Sequence, residues 1–255
     1  MPDAFVMTWL FVVGAVVGSF LNVVIHRVPR RRSIVSPGSA CPECATPIRW
    51  YDNIPILSWI ILRARCRSCA ARIPVRYPLI ELAGGLIPVL AALRHPLEVA
   101  PAVETALLAW IALALAVIDC EHQILPDVIT YPTIVLGLAF SFLGGLAGPF
   151  DALLGAVVGA GLPALVIGLY KLVRGVEGMG WGDVKYLAGI GAAIGLAGCL
   201  WVLVAAAMAG ALVGVVLIVA GRGSARTALP FGTFLSVALV AWLYLPDAWR
   251  VWSLW

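Results

Sequence analysis

Apolar residues in this chain come in long continuous runs and do not alternate with polar ones. The first extends from Ala4 to about Ile25, and others follow at about residues 79 to 94, 98 to 118, 128 to 147, 151 to 172, 184 to 198, 200 to 220 and 229 to 245. A hydrocarbon core of about 30 Å takes roughly 20 apolar residues per helix. Continuous runs predict helices, where a barrel would show a period of two. The expected fold class is therefore all-α, a polytopic membrane helical bundle of about eight transmembrane helices. The runs 79 to 94 and 184 to 198 are short for a crossing, and the sixth and seventh helices are divided near Gly198 to Leu200. No basic residue precedes the first run and no small-residue cleavage site follows it, so it is expected to stay as a membrane helix. The pairs Gly14 and Gly18, Gly155 and Gly159, Gly191 and Gly195, and Gly210 and Gly214 have the small-xxx-small spacing that lets membrane helices approach closely.

Composition agrees: at 62% hydrophobic and 12% charged, the chain has too little polar surface to cover a water-soluble globule of its size. Its basic residues supply an orientation. Ten arginines lie from Arg27 to Arg76, and short loops rich in Lys and Arg stay cytoplasmic. With eight helices, Lys171, Arg174, Lys185, Arg222 and Arg226 fall on the same side, leaving Arg94 and Arg250 outside with the N-terminus. Arginines at that surface are expected to meet anionic membrane lipid. No dinucleotide or phosphate-loop fingerprint is present, and no nucleic-acid partner is expected.

The loop from 27 to 78 carries Cys41-Pro-Glu-Cys44 and, 21 residues on, Cys66-Arg-Ser-Cys69. Two C-x2-C knuckles point to a four-thiolate site, with zinc as the expected metal; two disulfides or unengaged thiols are the competing reading. A cytoplasmic loop is in a reducing compartment, which favours the metal. Four thiolates leave no open position for water, so the zinc would be structural. Between the knuckles, Ile54 to Leu62 is either a small core under that site or an interfacial segment anchored by Trp59. Cys120 and Cys199 are expected to be small buried hydrophobes.

Ionisable groups at membrane depth mark functional sites by default. Asp119 ends the third predicted helix and Asp183 begins the sixth, both at the cytoplasmic ends. Two carboxyls in one site share protons unequally, so one can act as general base on water while the other polarises a carbonyl. The chemistry expected is peptide hydrolysis by an aspartyl pair, with Gly180 and Gly182 leaving room for an extended substrate backbone. The plain alternatives are a helix N-cap for Asp183, and for Asp119 a solvated loop carboxylate beside Glu121 and Asp127. Lys185 is expected to be an interfacial anchor.

The segments GSFLNVVIHRVP from Gly18, the two knuckles, WYDNIPILSW from Trp50, RYPLIEL from Arg76, IDCEHQILPDVITYP from Ile118 and GMGWGDVKYLAGIGA from Gly178 together resemble the type IV prepilin peptidase family, the GxGD-type membrane aspartyl proteases. The resemblance runs from about Gly18 to Phe234. It implies catalytic roles for Asp119 and Asp183 and zinc on Cys41, Cys44, Cys66 and Cys69. It also implies cleavage of the basic leaders of prepilins and pseudopilins of type IV pilus and type II secretion systems, at the cytoplasmic face of a bacterial inner membrane. S-adenosylmethionine is implied as the donor for methylating the new N-terminus. Glu81 is a candidate at the methyl-donor site; its alternative is a carboxylate satisfied by Arg76 or by a helix N-terminus. Glu121 and Asp127 are candidates for holding the leader.

The chain departs from the family pattern at Pro230-Phe-Gly-Thr-Phe234, where the family often reads PFGPF, and at His26, where an aromatic is expected. The expected organisation is a first transmembrane helix (1–26), a zinc-binding loop domain (27–78) and a peptidase domain (79–255). The rivals are a peptidase without methyltransferase activity, and a zinc-knuckled scaffold or proton-coupled transporter. A proton relay would need carboxylates spread through the bilayer depth, whereas these gather at one interface.

Overall fold

The structure, a computed structural model, describes residues 3–175, 180–222 and 228–246. Gly178 and Met179 of the motif before Asp183, and Arg226 and Arg250 of the orientation argument, lie outside them. The described helices are α1 (Ala4–Arg27), α2 (Leu57–Ile61), α3 (Arg76–Arg94), α4 (Val99–His122), α5 (Asp127–Phe142), α6 (Pro149–Arg174), α7 (Trp181–Val219) and α8 (Phe231–Tyr244). No β-strand occurs among the described residues beyond two isolated bridges. Five helices are long and apolar enough to cross a membrane by length and composition: α1, α3, α4, α6 and α7. The helices α5 and α8 are shorter and apolar.

The chain divides into two compact units, Met1–Leu97 and Glu98–Trp255. In the first, α1 packs on α3; by packing, therefore, α3 groups with α1, a partition different from the functional one drawn at residue 79. The seam is made of glycine. A Cβ at Gly18 would stand 2.8 Å from Glu81 Cα, and one at Gly84 would stand 2.6 Å from Gly18 Cα. Lipid competes equally for apolar side chains, so helices in a bilayer gain from close backbone approach more than from apolar burial. Asn22, buried on α1, fixes the register by donating to Tyr77 O at 3.2 Å.

In the second unit, α7 packs against α5, α6 and α8, and α8 against α4. At 39 residues, a straight α7 would be about 58 Å long, far more than one crossing needs. It reverses at Gly195, whose φ of 73° and ψ of −177° are not helical. Cys199 Sγ consequently lies 3.7 Å from Leu187 O, a separation in sequence worth about 18 Å along a continuous helix. The arms 181–194 and 196–219 run antiparallel, giving eight apolar helical segments among the described residues. The break falls at Gly195, not at Gly198 to Leu200, because Gly195 alone has the left-handed φ and because Asp151, in the first turn of α6, accepts the Leu196 N–H at 3.0 Å. That carboxylate caps the second arm from a neighbouring helix.

The glycine pairs thus have different duties. Gly155 and Gly191 meet backbone to backbone across α6 and α7, and a Cβ at Gly159 would stand 2.6 Å from Leu187 O. Gly195 turns the chain. Gly210 and Gly214, expected at a close seam, make only ordinary contacts with the side chains of Phe234 and Leu229. Glu104 on α4 is fully buried and accepts the Leu146 N–H at 2.7 Å, closing the α5 to α6 loop.

Candidate active site and metal centre

Asp119 lies in the last turn of α4 and is only 5% exposed. It is not a solvated loop carboxylate. The helix runs one turn beyond it to His122 and ends on Gln123, a left-handed residue with φ of 52° whose N–H donates to Asp119 O at 2.8 Å. Its side chain is held by the start of α8: Asp119 Oδ2 accepts the Thr233 N–H at 2.7 Å and lies 3.1 Å from Thr233 Oγ1. Thr233 is the third residue of α8, where amide protons lack an i−4 partner; its N–H also reaches Pro230 O at 3.2 Å. The arrangement is an N-cap supplied by another helix, with the positive end of α8 directed at a carboxylate.

Asp183 is the third residue of α7, not its N-cap, a place taken by Gly180 in extended conformation. The Asp183 N–H donates to Gly180 O at 3.2 Å. Leu125 sits against both Gly182, next to Asp183, and Gly232, next to the Thr233 that holds Asp119, so the second unit brings the ends of the two helices that carry the sequence candidates together. Leu125, 8% exposed, wedges the turn after α4 between two glycines. A Cβ at Gly182 would stand 2.9 Å from Leu125 Cβ, and one at Gly232 would stand 2.8 Å from its methyls. Gly182 therefore serves packing, whereas a Cβ at Gly180 would meet, among the described residues, Asp183 and Gly182 at 3.4 and 4.0 Å. One turn beyond Asp183, the buried Tyr186 hydroxyl pairs with Ser236 Oγ at 3.1 Å and locks α7 to α8.

Of the other candidates, Asp127 pairs with Lys185, Nζ to Oδ1 2.6 Å. Glu121 is exposed, 4.0 Å from His122 Nε2. Glu81 Oε2 accepts the N–H of Ile56 at 2.7 Å; Ile56 is the N-cap of α2, with φ of 64°, so the carboxylate is satisfied at a helix N-terminus. Cys199 is buried as expected, but Cys120, in the last turn of α4, is exposed.

The four loop cysteines converge, with their Sγ atoms all within 4.8 Å of one another. All are free thiols. Cys41 and Cys69 Sγ are 3.8 Å apart, the spacing that a tetrahedral site with bonds of about 2.3 Å requires. The two knuckles repeat one backbone pattern. Cys41 N–H donates to Thr46 O and Ala45 N–H to Cys41 O; Cys66 N–H donates to Ala71 O and Ala70 N–H to Cys66 O. Ala45 and Ala70 take matching left-handed conformations, φ 55° and 58°. The donor set and spacing fit zinc. Between the knuckles, Trp59 is half-buried and donates Nε1–H to Ile73 O at 3.1 Å, while Leu57, Ile60 and Ile61 are exposed. The segment thus has both an inward anchor and an outward apolar face. Arg67 clamps Asp52 with two nitrogens, Nε at 2.8 Å and Nη2 at 2.6 Å, and holds that carboxyl below the usual range.

Comparison with known proteins agrees with this anatomy. Residues 12–95 match the model of the bacterial peptidase A24 N-terminal domain, and residues 106–215 that of the type IV leader peptidase family. The prepilin leader peptidase/N-methyltransferase of Pseudomonas putida is 39% identical over 93% of this chain and 90% of its own. That of Stutzerimonas stutzeri is 40% identical over 93% and 89%. That of Aeromonas hydrophila is 38% identical over 92% and 89%. No solved structure matches the chain.

Proposed function

This chain belongs to the type IV leader peptidase family, and we propose on that premise that it cleaves prepilin and pseudopilin leaders with Asp119 and Asp183 and methylates the amine so exposed. The observation that carries the reading is the convergence of the helix ends that carry the two aspartates, with Asp119 held by α8. A buried carboxylate that accepts hydrogen bonds is suited to negative charge. Asp119 is accordingly the general base and Asp183 the partner that starts with the shared proton. Water oxygen bonds to the scissile carbonyl carbon as Asp119 takes its proton, and the carbonyl oxygen receives the proton of Asp183. On collapse the C–N bond breaks, the departing nitrogen takes the proton from Asp119, and the hydroxyl returns one to Asp183. Gly180, without a side chain beside Asp183, would let an extended substrate backbone approach, since a helical substrate hides its carbonyl carbons.

Cys41, Cys44, Cys66 and Cys69 would hold a zinc ion that gives the loop a fixed shape and takes no part in hydrolysis. S-adenosylmethionine would supply an electrophilic methyl group for the freed amine. Membrane insertion follows the eight apolar segments, in a bacterial inner membrane with the N-terminus outside and the loop and aspartates cytoplasmic. The test is reconstitution in lipid with a synthetic prepilin and S-adenosylmethionine, with products followed by mass. Loss of the leader and gain of one methyl on the mature fragment are expected; an intact prepilin would refute the peptidase, and a cleaved but unmethylated product the second activity.

A further inference from the structure

The hydroxyl of Thr233 faces two acceptors with one proton. Its Oγ1 lies 3.1 Å from Asp119 Oδ2 and 3.1 Å from Ala116 O. A threonine hydroxyl donates once, so it serves either the carboxylate or the α4 carbonyl at a given moment. The Thr233 N–H, 2.7 Å from the same Oδ2, is fixed by the helix and cannot turn away. Thr233 therefore presents Asp119 with one permanent donor and one that can rotate.

We infer that Thr233 is a positioning residue for hydrolysis, anchoring Asp119 Oδ2 through its amide and stabilising the charged carboxylate through a hydroxyl that turns to Ala116 O once Asp119 has taken the proton of water. A hydrogen bond to an ionised acceptor is stronger than one to a neutral acceptor, so the hydroxyl prefers the carboxylate before the reaction and the carbonyl after proton transfer. The proton of the hydroxyl never leaves Thr233. Its rotation answers a change of charge that Asp119 undergoes. The inference rests on the reading of Asp119 and Asp183 as the catalytic pair.

The test compares the wild type with T233S, T233V and D119N, each purified in lipid, on a synthetic prepilin. T233S keeps the hydroxyl and should retain kcat within about twofold. T233V keeps the shape and the N–H but loses the hydroxyl, and kcat should fall roughly tenfold or more at unchanged KM and unchanged melting temperature. Should T233V not fold, T233A carries the same expectation. Wild-type kcat in T233V, or equal losses in T233S and T233V accompanied by a lower melting temperature, would overturn the inference while leaving the aspartyl pair intact. Cleavage by D119N would instead overturn the pair, and this inference with it.

Discussion

Lys185 Nζ stands 2.6 Å from Asp127 Oδ1 and 5.1 Å from the centre of the Tyr131 ring. The contact joins the first turns of α7 and α5 two residues past Asp183 and occupies the Asp127 carboxylate. Glu121, exposed at the end of α4, is a second acidic group for a basic leader. Glu121→Gln should raise KM for prepilin and leave kcat nearly unchanged, because such a contact binds ground and transition states alike. Asp127→Asn should have a smaller effect on KM, and an ion pair this exposed contributes only about 0–1 kcal/mol to stability. Steady-state kinetics decide; a fall in kcat at constant KM for Glu121→Gln would place that carboxylate in the chemistry.

Close approach of α6 and α7 depends on glycine at particular positions. Gly191→Val should cost several kcal/mol, roughly the range of severe overpacking, because its Cβ would run into the backbone of Gly155. Gly161, on the same α6, has nothing within 4 Å of an added Cβ. Gly161→Ala should therefore be neutral or stabilising by up to about 1 kcal/mol. Thermal inactivation of the purified variants separates the two, and equal behaviour would refute the packing.

Cys44→Ser or Cys69→Ser should release metal and leave the loop open to protease, while the aspartates stay in place in the second unit. Metal analysis of the wild type should find about one zinc per chain. A fully active, metal-free preparation with an intact loop would contradict the structural role.

Much of this was legible in the sequence because the signals are local. The apolar runs, the two knuckles, and Asp119 and Asp183 at helix ends needed no knowledge of the partner helices. What escaped depends on contacts between helices distant in sequence. Asp151, which caps the second arm of α7, resembles any first-turn acid, and nothing in the sequence around Glu104 announces the loop it closes. Thr233 was visible only as a departure from PFGPF, since its donors acquire meaning once α8 abuts α4. Cys120 failed the burial expectation because composition says nothing about which face of α4 it takes.

The measurement that bears most directly on the proposed chemistry is cleavage of a synthetic prepilin by Asp119→Asn and Asp183→Asn, each inserted and folded as judged by melting temperature. A carboxamide can neither take the proton of water nor pass one to the carbonyl oxygen, so each variant is expected to leave the prepilin intact by mass while keeping wild-type stability. Appreciable turnover by either correctly folded variant would contradict the aspartyl pair.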